Sequence, residues 1–103
     1  MWKIIPENEL MEIEQNIRMI LRTPKGSVPL HRDFGISYNF LDLPLNKAIV
    51  VLRNEIVKSI KRWERRVEIE EVKVEPAEEG ALRVKIIWRS KYGRGEVVER
   101  VSS

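Results

Sequence analysis

The spacing of apolar residues changes once along this chain, near Val67. Before it, apolar side chains recur every three or four residues; after it, every second residue. A period of 3.6 turns one face of a helix toward a core, and a period of two turns one face of a strand there. A chain that switches once puts its helices first and its sheet last. The layer arrangement that buries both is α+β, with helices covering one face of an antiparallel sheet.

Leu10, Ile13, Ile17, Ile20 and Leu21 mark the apolar face of a first helix over 8–22. Asn8 is its expected N-cap, and Thr23, pushed from helical geometry by Pro24, its end. Leu45, Ala48, Ile49, Leu52, Ile56, Ile60 and Trp63 predict a second helix over 44–63, starting after Asp42 with Pro44 in its first turn. Lys58, Lys61 and Arg62 crowd its last turns, where cations complement the negative end of the helix dipole. The segment 23–35 carries two prolines and two glycines and follows neither period. A connection of that length is uncommon unless it packs internally or presents a surface.

Val67 and Ile69 share one face of a strand and Val72 and Val74 share another, out of phase, so a bulge is expected near Glu70-Glu71. Glu75–Gly80 reads as a turn, after which Leu82, Val84, Ile86 and Trp88 alternate with Arg83, Lys85 and Arg89. A second turn over Lys91–Gly95 precedes a last strand over 96–102. The expected fold is therefore two main helices packed on a three-stranded antiparallel β-meander, with residues 1–103 forming one domain.

Composition narrows the chemistry. Nineteen basic residues face 16 acidic ones, a balance that suits an ion-paired surface better than a nucleic-acid grip. With no cysteine and the single His31, neither a metal site nor a cofactor is expected. Met1–Pro6 is too short for a signal peptide, and no stretch approaches the roughly 20 apolar residues of a membrane span. The expectation is a soluble product, cytoplasmic when made. Pro24-Lys25-Gly26-Ser27 lacks the upstream glycine of a phosphate-binding loop, and His31 and Asp33 have no nucleophile in context. Glycoside hydrolysis needs two carboxyls roughly 5–10 Å apart, one of them kept protonated. Glu7, Glu9, Asp33, Asp42 and Glu64 could all be nominated and nothing singles out a pair, so no enzyme is expected. The rival is a small nucleic-acid-binding module using Lys58, Lys61, Arg62, Arg65 and Arg66, with Trp63 as a stacking platform. Glu64, Glu68, Glu70 and Glu71 interleave with those cations and would repel phosphate.

Two motifs carry a resemblance. The run Ile17–Gly35, with its Thr23-Pro24-Lys25-Gly26 turn and Asp33-Phe34-Gly35 close, resembles the helix, Thr-x-x-Gly turn and Asp-Phe-Gly segment of the phage baseplate W (wedge) family. That family bears a lysozyme-like label and includes the type VI secretion baseplate subunit. Trp63-Glu64-Arg65-Arg66-Val67 resembles its Glu-Pro-Arg signature, with Arg65 where proline is usual, so the rigid turn of that proline is not assured. The likeness runs from about residue 8 to 102.

The resemblance implies a structural subunit of a contractile phage tail or related injection machine. It would act as a monomer joining several copies in a ring, bind the core-bundle proteins of the wedge and start the assembly of the tail sheath protein. Its implied wedge contacts are Arg32, Asp33, Glu64, Arg65 and Arg66. Strands 82–90 and 96–102 are the expected edge for sheath strands, through Val84, Ile86, Trp88, Val97, Val98 and Val101. Against this, Phe34 reads equally as a core plug, Gly26 and Gly35 as turn glycines, Arg32 and Asp33 as a local pair, and Glu64 with Arg66 as a surface pair worth little.

Overall fold

Helices precede strands, as the change of period predicts. The structure, a computed structural model, describes residues 6–102 and side chains from Glu9 onward. Met1–Ile5, on which the leader expectation rests, lies outside the described residues. Helix α1 spans Pro6–Arg22. It starts earlier than expected, so Asn8 sits inside its first turn and is not the N-cap. Helix α2 spans Leu45–Trp63, with Pro44 in the capping position and its carbonyl accepting from the Ala48 N–H at 2.8 Å. Asp42 does not start α2; it ends a single 3-10 turn, Asn39–Asp42, too short to show a period.

The sheet comprises β1 (Glu68–Pro76), β2 (Leu82–Ser90) and β3 (Gly93–Val101), antiparallel and in the order β1-β2-β3. The bulge falls where the phase break places it. Ile69 faces Trp88 and Glu71 faces Ile87, so Glu70 is the extra residue, and Ile69, Val72 and Val74 all return to the helix side. The second turn is shorter than expected: only Lys91 and Tyr92 lie outside the strands, and Gly93 to Gly95 pair with Ser90 to Trp88. These glycines are not turn residues. A Cβ on Gly95 would stand 2.3 Å from the Trp88 ring, so glycine there makes room for the indole.

Packing follows from this register. Leu82, Val84, Ile86, Trp88, Val97 and Val101 turn inward beneath Ile13, Ile17 and Ile20 of α1 and Leu52, Ile56 and Ile60 of α2, all of them buried. Each such side chain contributes on the order of 1.5–3 kcal/mol over its exposed state. Helix α1 lies over β3 and α2 over β1. The other face of the sheet carries charges, with Glu68, Lys85, Arg89 and Arg94 in exposed ion pairs.

Candidate functional site

Where α2 meets β1, three elements converge on one guanidinium. Glu64 is the C-cap residue of α2, only 3 % exposed, with non-helical backbone at φ −134° and ψ 86°. Arg66 donates to both its oxygens, Nε to Oε1 at 2.8 Å and Nη2 to Oε2 at 2.7 Å, the paired geometry in which Arg binds carboxylate most strongly. Asn16 of α1 donates to the same Oε2 at 3.0 Å. Arg66 Nη1 also reaches Glu9 at 2.8 Å and Glu12 at 3.0 Å, both on α1. Burial alone would raise the Glu64 carboxyl pKa; the bonds from Arg66 and Asn16 outweigh it and hold the group below its ordinary range. The guanidinium is raised in turn, first by its bonds to Glu64.

This is not the loose surface pair that the sequence allowed. It is a clasp joining the start of α1 to the end of α2, and Arg65 between its two main partners stands exposed. Glu12 and Asn16 escaped the sequence reading, and Glu9 entered it only as one of several carboxyls with nothing to single it out. Their spacing of three and four residues places them on one stripe of α1 beside its apolar face, a signal that was there to be read.

The connection 23–35 packs internally at its ends. Lys25 donates to the Ile36 carbonyl at 2.9 Å, Gly26 to Arg32 at 2.9 Å and Ile36 to Thr23 at 3.0 Å. Gly35 has φ +98°, and a Cβ there would stand 2.0 Å from the Thr23 carbonyl oxygen, so no other residue fits. Asp33 pairs with Arg62 at 3.2 Å and not with Arg32, which is exposed beside it. Phe34 is half-buried against Trp63, ring centres 5.3 Å apart, with His31 on the same indole at 5.8 Å. Trp63 also donates through Nε1 to the Asp33 carbonyl at 3.2 Å, so this ring is engaged within the fold.

The sheet has two unequal edges. β2 is central and paired on both sides, so Val84, Ile86 and Trp88 do not lie on an edge, contrary to expectation. Together with Val97 and Val101 their side chains are buried; Val98, 44 % exposed, is the one of the six that faces outward. The β1 edge is broken by the bulge at Glu70 and ends in Pro76, which has no N–H. The β3 edge runs unbroken from Gly93 to Val101. A two-residue hairpin closing on Ser90 and Gly93 turns the backbone of alternate residues, Gly93 through Val101, toward β2. Arg94, Glu96, Val98 and Arg100 then present theirs outward. Accordingly the Val98 carbonyl accepts from Arg18 Nη1 at 3.2 Å. Arg18 is held by Glu99 at 2.9 Å and Glu14 at 2.8 Å, and Arg22 joins the same Glu99 at 2.8 Å.

Comparison with known proteins gives two findings. The family described as baseplate wedge protein gp25 matches residues 7–91. A crystal structure from Geobacter sulfurreducens, of a protein provisionally named tail lysozyme, superposes with a TM-score of 0.75 at 26 % identity, covering 100 % of this chain and 97 % of that one. No curated protein sequence matches.

Proposed function

Because the chain belongs to the baseplate wedge protein gp25 family, we propose that it is a non-enzymatic baseplate subunit of a contractile tail or related injection machine that docks on the wedge and offers β3 as the template for the first sheath strands. Membership implies association with other baseplate proteins and a place in the assembled particle. The observation that carries the finer reading is the unbroken β3 edge, whose outward backbone groups can bind an added strand by main-chain hydrogen bonds. Exposed Arg65 and Arg32, with Asp33, supply the wedge-facing charges; Glu64 and Arg66 hold Arg65 in place more than they reach out themselves.

The lysozyme name belongs to the Geobacter protein. Here Glu64 is held ionised by Arg66, whereas glycosidic cleavage needs a carboxyl that keeps its proton. Among the described residues, Trp63 is packed against His31 and Phe34 and Arg66 is enclosed by carboxylates, which counts against their use as a nucleic-acid platform.

Val98→Pro removes an outward N–H at an edge position where proline is tolerated. It should abolish retention by the tail sheath protein and leave the circular dichroism spectrum unchanged. Arg65→Glu should abolish co-purification with the wedge proteins in the same background. Undiminished retention of sheath by the Val98 variant would remove the template reading.

A further inference from the structure

Resting on the strand-addition reading above, we propose that the β3 edge admits only a bare extended arm, one with no helix layer of its own, and that Arg18 is the latch such an arm displaces. Three observations carry this. First, α1 lies over β3. Strands in a sheet are about 4.8 Å apart, whereas a helix with its side chains is about 10 Å across. A second copy pairing antiparallel by β3 would bring its own α1, on the same face of the sheet, into the space this α1 fills, so the open edge is closed to antiparallel pairing with the subunit itself.

Second, Arg18 stands where the arm must bind. Its Nη1 occupies the outward Val98 carbonyl at 3.2 Å, in the middle of the edge. An arriving N–H competes with the guanidinium for that carbonyl and bonds best when the guanidinium withdraws onto Glu14 and Glu99, which already hold it at 2.8 and 2.9 Å. The latch therefore moves without losing its countercharges.

Third, the outward row reads Glu96, Val98, Arg100. Opposite charges and apolar pairs across strands favour association. An antiparallel arm should therefore carry, in chain order, an acidic residue opposite Arg100, an apolar one opposite Val98 and a basic one opposite Glu96. That is the pattern of β3 itself, which is self-complementary about Val98.

A capped synthetic peptide copying residues 93–102 is consequently a ready probe, since it has the pattern and lacks the helix. Titrated into the intact protein, it should shift the amide resonances of β3 and not those of β1. A peptide with the Glu96 and Arg100 equivalents exchanged should bind more weakly by on the order of 10-fold. Arg18→Ala and, as a check on folding, Arg18→Gln should both tighten binding of the first peptide, while both variants stay monomeric in sedimentation. Equal binding of the two peptides, shifts mapping to β1, or no binding even by the Arg18 variants would overturn the inference. A Glu96→Arg, Arg100→Glu double variant separates it from the parent reading. If the sheath protein is retained equally by the double variant and the natural chain, the charge pattern is refuted and the template stands; if the natural chain does not retain it, the template itself falls.

Discussion

Arg66 satisfies Glu9, Glu12 and Glu64 with one guanidinium, so reversing its charge would set four carboxylates against one another at the junction of α1, α2 and β1. Arg66→Glu, which would be a mild change at an exposed surface, should therefore fail to give a folded monomer, and it cannot serve as a test of docking. Arg66→Ala leaves the Glu64 carboxylate buried without its main partner. Breaking a buried pair in this way costs about 3–5 kcal/mol, read as a lowered urea midpoint with an unchanged slope. Arg65 beside it should tolerate the same exchange at little cost. The sequence shows Glu64 and Arg66 two apart but says nothing of Glu9, Glu12 and Asn16, which arrive from about fifty residues away through the fold. The spacing within α1 was legible; the partner across the junction was not.

Elements whose burial has a period were readable in advance. Ile13, Ile17 and Ile20 announce α1, the alternation of Leu82 to Trp88 announces β2, and the phase break between Ile69 and Val72 announces the bulge. What has no period escaped: the four-residue 3-10 turn ending at Asp42, and the glycines of β3, which look like a turn until Trp88 is seen lying against Gly95. Glu64 leaves the helix at φ −134° and ψ 86°, short of the ψ of roughly 120–160° that a residue before proline adopts, so the signature's proline would have to open the Glu64 backbone. Arg65→Pro should accordingly lower stability, the strain at Glu64 outweighing the roughly 0.4–1 kcal/mol gained through loss of freedom in the unfolded chain, measurable as a fall in melting temperature. A rise would show that the Glu64 backbone opens to the proline geometry without strain.

For the whole molecule, acid is the sensitive direction. Glu64 and Glu55 both have folded pKa values below the ordinary 4.5: burial opposes ionisation in each, and the bonds from Arg66 and Asn16 in one and from Lys25 and Ser37 in the other prevail. A depressed carboxyl stabilises the fold fully above its unfolded value, and that contribution fades as pH falls through the folded value. Urea midpoints should hold between pH 7 and 5 and drop below about pH 4.5. Glu64→Gln should start lower and lose less. The edges of the sheet bear on the molecule in another way. With β1 interrupted by Glu70 and stopped by Pro76 while β3 is unbroken, the sheet has one edge suited to strand addition and one that is not. On the strand-addition reading proposed above, anything built on it strand by strand would grow in one direction only, and a subunit of this shape would set where such a structure begins and which way it points.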